Sequence, residues 1–429
     1  MGRAAVSNPA PSLLDRLLLP AEAGWSAQAR KDAARRLSAM GLPSRRDEYW
    51  RFARADDFAA PEPEAAPILD MGDEKPVFTG LDRIKIAFQD GVFKGEMPEL
   101  PEGVEVSRLA DSQASDLHWA RDYYGVLEAE GQSPVARPFA ALNTAYASDG
   151  LLIRVSGKVT LPLNLIYCHD DPHSDVILHH VVRLEPGAEL TLLENGPAAA
   201  RLNTVLEVDL ADGAAFHHIR TQGRDHGRRA VTHIFARLAK ESVFKSFTLS
   251  VNGAHTRNET VIDFTGDDAI AHVAGAAMGD GAMGPFVHDD TVFITHDAVN
   301  CESRQVYKKV LLNGATGVFQ GKILVREGAQ KTDGYQKSQA LLLDEDSTFL
   351  AKPELEIYAD DVACSHGSTS GGIDEEALFY LRSRGVEAPI AQDLLVLAFL
   401  ADAMDEIADP DIVADITSRL EAWLARRRD

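Results

Sequence analysis

Cysteine is scarce in this chain. Cys168, Cys301 and Cys364 are the only three in 429 residues, separated by 133 and 63 positions. An odd number without paired spacing argues against a disulfide framework and against a self-contained zinc or cluster site. Long apolar runs are also missing, so no segment reads as a membrane span. The opening Met1-Gly2-Arg3-Ala4-Ala5-Val6-Ser7-Asn8-Pro9 lacks the continuous apolar core of an export signal, and a cytoplasmic location is expected. Positive charge is in the minority: 43 Lys and Arg stand against 66 Asp and Glu, a formal charge of −23. That balance repels phosphate backbones and anionic headgroups, which sets nucleic acid and membrane aside as partners.

Catalytic signatures are thin as well. The Gly-rich stretch 266–284 has no Lys-Ser/Thr ending and opens no clear helix, so it is neither a phosphate loop nor a dinucleotide fingerprint. No serine stands in a nucleophile-elbow setting. His179-His180 and His217-His218 are adjacent pairs, and neighbours on a strand face opposite sides. At least one member of each pair is expected in solvent, which argues against a shared metal.

What is present is ample apolar material, 45% of residues, and a length that suits two or three domains. Residues 1–149 read as a helical and mixed region. Ala29, Ala33, Leu37 and Met40 form one apolar stripe that stops at Gly41, a natural left-handed cap. Residues 57–80 carry four prolines among acidic residues and read as an irregular connector. A helix is expected around Leu117–Leu127.

Residues 150–372 change to short runs of Val, Ile, Leu, Thr and Phe punctuated by Gly, Asp and Asn. A turn-like word recurs at Leu184–Leu190, Leu210–Phe216, Leu238–Phe244 and Phe264–Ile270, with spacings of 26, 28 and 26 residues. Leu312–Val318 and Leu343–Phe349 read as later copies. A fixed period of this size points to a solenoid of stacked strands, with a regular antiparallel sandwich as the alternative.

Residues 373–429 return to helix. Asp374 is placed to cap a short helix that carries Leu378 and Leu381 inward and ends at Gly385. Pro389 starts a second helix with Ile390, Leu394, Leu397, Ala401 and Met404 as its stripe. Val413, Ile416, Leu420 and Trp423 mark a third. Leu395, Ala398 and Phe399 widen the apolar face of the second helix beyond one packing contact, which suggests a docking surface.

The most informative words lie between 329 and 385. Glu354–Ile357 alternates polar and apolar residues like a strand, and continuing that conformation puts Cys364 and His366 on one face, about 6 to 7 Å apart. A thiol and an imidazole so placed can face a soft metal or a partner's sulfur. The alternative is a buried Cys acting as a small hydrophobe beside a hydrogen-bonded His. Gln330–Gln336 reads either as a coil corner or as a polar lining on the route to Cys364. Spacing alone assigns no role to His296, Cys301 or Ser303.

Val318-Phe319-Gln320-Gly321-Lys322-Ile323, the run Ala329–Gln336, Ala340–Leu343, the run Lys352–Val362, Cys364-Ser365-His366-Gly367 and the run Leu378–Gly385 occur in order. Together they resemble the C-terminal half of the SufD family, scaffold subunits of the SUF iron–sulfur cluster assembly machinery. The resemblance is dense from about 290 to 405, and upstream it rests on the run Gly41–Trp50.

It implies a mainly β fold, a right-handed parallel β-helix between helical ends. It also implies a non-catalytic scaffold in which Cys364 and His366 are metal ligands at an interface with the paralogous SufB, sharing a transient iron–sulfur cluster. The ATPase SufC would bind the C-terminal helices, with Asp374, Leu378, Phe379, Leu394, Leu397, Phe399 and Met404 as the expected contact residues. Closure of that ATPase is expected to expose Cys364 and His366 from a buried position.

The isolated chain is a candidate homodimer, and no sequence pattern decides for or against a flavin. Two rival assignments are a SufB-type scaffold, which would carry more cysteines, and a β-helix enzyme on carbohydrate. The second would need a carboxylate groove and an export signal.

Overall fold

The computed structural model describes residues 13–20, 23–68, 75–196, 198–223 and 227–426. Strands dominate, and from Leu151–Val155 onward consecutive strands alternate between two sheets, one of ten strands and one of nine. Neighbours within each sheet are two strands apart in sequence and parallel throughout the body of the stack. The architecture is therefore a parallel β-solenoid, not an antiparallel sandwich.

The repeat read from the sequence is the coil itself. Leu184, Leu210, Leu238 and Phe264 are exact register partners on successive rungs of the nine-stranded sheet. Each coil can bury its apolar face only against its neighbours, and these side chains stack in the lumen. The column continues through His296, Val325 and Ile357, so later coils are longer than the first three. Leu312 and Leu343 do not continue it. Leu312 ends the strand Glu302–Leu312 of the other sheet and pairs with Asp280, so these two words mark the opposite corner of the coil. Seven-residue similarity misled there because both corners need an apolar residue, a tight turn and another apolar residue.

The corners explain the turn chemistry. Gly187, Gly213, Glu241, Asp268, Asn300 and Lys331 occupy one corner of successive coils, all at φ between +56° and +71°. In that left-handed conformation the amide points along the stack. Those of Gly187, Gly213, Glu241 and Asp268 donate to a carbonyl of the next coil's corner at 2.8 to 3.0 Å. Glycine takes this conformation without steric cost, and the four later residues hold it through the stacked hydrogen bond.

The lumen also holds a paired polar column. Thr232 Oγ1 donates to Asn258 Oδ1 at 2.8 Å, Asn258 Nδ2 to Asp290 Oδ1 at 3.2 Å, and Lys309 Nζ to Asp290 Oδ2 at 2.6 Å. At the other end Arg220 holds Glu194 and reaches Thr232 at 2.9 Å. Burial by itself would raise the Glu194 pKa, but Arg220 and His218 hold the carboxyl far below the usual carboxylate range.

Helices cover both outer faces. Ahead of the solenoid, Trp50, Phe58, Phe139 and Leu142 pack on Ile177, Val181 and Val231 of the nine-stranded sheet. The helix Ala27–Met40 ends as expected at Gly41, whose amide donates to the Leu37 carbonyl at 2.8 Å. Short turns Trp119–Asp122 and Val126–Glu130 stand where one helix was expected, and the longer helix Pro138–Tyr146 follows. Residues ahead of 150 also supply strands: Ile84–Gln89 pairs in parallel with Leu163–Cys168. Of the connector 57–80, residues 69–74 lie outside the described residues.

At the other end, Val396, Leu400, Ala403, Ile416 and Leu420 pack on Phe247, Leu249, Ala274 and Met278 of the ten-stranded sheet. Helix Ala388–Met404 turns a different face inward from the expected stripe. Ala391, Val396, Leu400, Ala403 and Met404 are buried, whereas Ile390, Leu394 and Ala401 are exposed. The helix is apolar nearly all round, so periodicity alone does not choose its inner face.

The covering also buries more histidine than expected. His179 and His180 are both inside, His179 bonded to Glu207 at 2.8 Å beneath the helices and His180 within the lumen. His218 is buried and His217 only half-buried.

Candidate functional site at the open end of the solenoid

The last strand, Ala363–Gly371, forms one edge of the ten-stranded sheet. It pairs only with Asp333–Leu342, setting Cys364 opposite Gly334, His366 opposite Gln336 and Ser368 opposite Ser338. Strand parity puts Cys364, His366 and Ser368 on one face. That face is the inward one: Gly334, Gln336 and Ser338 are buried beneath it, and the Ser338 hydroxyl donates to Ser368 Oγ at 3.0 Å. Cys364 packs beside Ile323, Val325, Ala329 and Ala359.

Within the stack each inward face is covered by the coil that follows, and at the other end by Phe93, Met97, Leu100, Val104 and Val106. Here no further strand follows among the described residues, so the inward face of the last rung is an open mouth. His366 is consequently exposed and Cys364 half-exposed. The expectation that both are buried until a partner moves does not hold for the chain alone. The opposite lip is Thr348–Ile357, the edge of the nine-stranded sheet. Pro353 in that strand removes one ladder donor, as suits an edge.

Burial raises the Cys364 thiol pKa above its ordinary value, a backbone hydrogen bond at Gly334 opposes the shift, and the Asp333 carboxylate adds to it. The raised pKa favours the neutral thiol, and a metal that bound here would displace its proton to solvent, since ligation requires the thiolate. Asp333 is itself gripped by Arg304, at 3.0 and 2.9 Å. These two residues, Tyr335 and Cys364 line a shallow cavity of about 480 Å³. Gln330, from the same run, caps a corner instead, its Oε1 accepting from the Asp361 amide at 3.0 Å.

The other candidates do not join this pair. Ser303 lies two rungs below Cys364 in the same column, with Gly334 between them, about 10 Å away at the usual strand spacing. His296 Nε2 meets Ser303 Oγ at 2.9 Å, its ring stacks on Phe264 with centroids 4.5 Å apart, and burial pushes its pKa down to about 3. Cys301 is buried and its thiol donates to the Gly266 carbonyl at 3.4 Å. Among the described residues no three His, Cys, Asp or Glu side chains converge on one point. Cys364 and His366 are the two candidate donor side chains at the mouth.

Of the run Gln330–Gln336, read as a possible polar lining for Cys364, Gly334 and Gln336 do lie directly beneath Cys364 and His366, whereas Ser338 beneath Ser368 was missed. Gly334, Gln336 and Ser338 sit 30 positions before Cys364, His366 and Ser368, an offset that coil registration would have exposed.

The C-terminal residues expected to meet a partner divide by exposure. Asp374 caps helix Glu375–Ser383, accepting from the Glu376 and Ala377 amides at 2.9 and 3.0 Å. Phe379 is 72% exposed and Leu394 46% exposed. Leu378, Leu397 and Phe399 are half-buried, the last beneath Lys308 Nζ at 4.6 Å from its ring centroid. Met404 is buried against the sheet. No helix among the described residues is long and apolar enough to cross a membrane.

Comparison with known proteins shows the family. Residues 167–399 match the model of the SUF system FeS cluster assembly, SufBD core domain, and residues 82–165 that of the SufBD protein N-terminal region. The chain is 27% identical to iron–sulfur cluster assembly protein SufD of Escherichia coli, covering 89% of each. It is 25% identical to that of Bacillus subtilis, covering 66% of this chain and 65% of the relative. The chain belongs to the SufBD family of SUF-system iron–sulfur cluster assembly proteins.

Proposed function

We propose that this chain is a non-catalytic scaffold subunit that holds iron and sulfide while a cluster is built and handed on, with the cluster as cargo. The observation that carries the reading is the pair Cys364 and His366, side by side on the uncovered face of a terminal strand. Two ligands are too few to hold a cluster alone, so a SufB-type paralogue supplies the rest across the open end. Thiolate and imidazole both suit iron. The helical regions 1–149 and 373–429 serve as flanking domains to the solenoid at 150–372. The same unpaired edge accounts for a homodimer when the paralogue is absent, because an exposed strand edge is a template for pairing.

A SufC-type ATPase docks on the C-terminal helices. Exposed Phe379, Tyr380, Ile390 and Leu394 support this, since large apolar side chains gathered on one helical pair mark a protein contact. ATP hydrolysis belongs to that partner in this reading. Co-expression with SufB-type and SufC-type subunits tests it. Phe379→Asp with Leu394→Asp is expected to abolish recovery of the ATPase while leaving the paralogue bound. Unchanged recovery of the ATPase contradicts the docking assignment.

A further inference from the structure

The polar column that ends at His366 contains two buried atoms without a partner, the Gln305 amide nitrogen Nε2 at its inner end and the Gln336 carbonyl oxygen Oε1 toward the mouth. Gln305, Gln336 and His366 are register partners on three successive rungs of the ten-stranded sheet, all on the inward face. Gln336 is fully buried. Its Nε2 donates to Gln305 Oε1 at 2.8 Å, and its own carbonyl oxygen Oε1 has no donor. The amide is seated in a made space: a Cβ on Gly321, across the lumen, would stand 2.1 Å from Gln336 Nε2. One column along, the Ser338–Ser368 bond at 3.0 Å bridges the same two rungs, so the final rung is within hydrogen-bond reach. His366, directly above Gln336, is exposed and has no polar partner among the described residues.

We propose that Gln336 is the positioning residue for His366. Its free carbonyl oxygen accepts the N–H of one imidazole nitrogen, which fixes the tautomer and turns the other nitrogen's lone pair out of the mouth. A buried carbonyl without a donor is unfavourable, and a surface imidazole without a partner is free to rotate, so one hydrogen bond resolves both. Ligating histidines are oriented in this way by a group on their second nitrogen. The proposal rests on the reading of His366 as an iron ligand, and it leaves a single ring nitrogen free to ligate.

The test is selective 15N-histidine labelling of the full-length chain without metal, with His366→Gln assigning the signals, at a pH above the imidazole's ordinary range. The ring nitrogen shifts report the neutral tautomer. In the wild type one tautomer is expected to exceed the other by about tenfold or more, as in a locked hydrogen bond. Gln336→Met, which keeps volume but has no carbonyl, is expected to relax the ratio to that of free histidine. Gln336→Glu, which retains an acceptor oxygen, is expected to restore it.

In the assembled complex Gln336→Met is expected to weaken iron retention about tenfold, with Gln336→Glu recovering most of it. A wild-type ratio equal to that of free histidine overturns the proposal whether or not Gln336→Met folds. So does a Gln336→Met ratio identical to the wild type. If the tautomer follows Gln336 while His366→Ala keeps its iron, the positioning bond stands and the ligand role of His366 falls.

Discussion

The Tyr49 hydroxyl donates to the Glu354 carboxylate at 2.7 Å across 305 positions of sequence. This bond ties the N-terminal run Gly41–Trp50 to the lip of the open mouth. Lys352 Nζ lies 3.9 Å from the Tyr49 ring centroid and reaches Glu48 at 2.6 Å, while Arg257 donates to the Tyr49 carbonyl at 2.8 Å. Burial, reinforced by the Glu354 carboxylate, pushes the Tyr49 phenol well above its ordinary pKa, so it remains a donor. Glu354 stands on an edge strand with no further coil to hold it. The N-terminal run therefore braces the rung opposite Cys364 and His366.

Tyr49→Phe removes that single hydrogen bond and is expected to lower unfolding stability by about 1 kcal/mol. Tyr49→Ala also removes the ring packed on Phe293 and is expected to cost about 3 to 5 kcal/mol. Urea titration checks both. Equal losses for the two variants contradict the brace.

The lumen pair Lys309 and Asp290 gives a second expectation. Both are buried and bonded at 2.6 Å. Lys309→Met strands a buried carboxylate and is expected to cost about 3 to 5 kcal/mol, as is Asp290→Leu with its stranded ammonium. The double variant is expected to lose much less than the sum, because neither charge remains. A double-mutant cycle that sums additively contradicts the pairing.

Stability is expected to fall on mild acidification. Burial depresses the pKa of His180 and His233 to about 4 and that of His296 to about 3. Between about pH 6.5 and 4 the unfolded chain binds these protons and the folded chain does not, so folding loses free energy as pH drops through that window. Above that window these three imidazoles are neutral in both states and add no pH dependence, and each contributes on the order of 1 to 3 kcal/mol to the drop. Denaturation midpoints measured at several pH values test the sign. A midpoint that rises as pH falls from 6.5 toward 4 contradicts it.

Thiol accessibility separates the three cysteines. Cys168 is exposed, Cys364 half-exposed and Cys301 buried. In the isolated chain a maleimide reagent is expected to modify Cys168 and, more slowly, Cys364, and to reach Cys301 only on unfolding. When the paralogous partner is bound, Cys364 is expected to be protected and Cys168 unchanged. Labelling of Cys364 at the same rate in the complex contradicts its place at the interface.

The sequence carried the solenoid in Leu184, Leu210, Leu238 and Phe264 because those coils differ in length by no more than two residues. It lost the thread beyond Phe264, where the next coil adds six residues relative to the third and both corners use similar words. The parity of Cys364 and His366 was legible, since strand periodicity is rigid. Their exposure was not, because it depends on which coil is last and on nothing local. The inner face of Ala388–Met404 was hidden by a helix apolar on every side. Gln336 was hidden because its meaning lies in an acceptor left over after its neighbour is satisfied.

The most direct test is the iron and sulfide content of the co-purified complex, wild type against His366→Ala. If the open mouth holds the cargo through this imidazole, the variant complex assembles intact and loses most of its iron and sulfide together. An intact variant complex with undiminished iron and sulfide contradicts the account and leaves His366 without a ligand role.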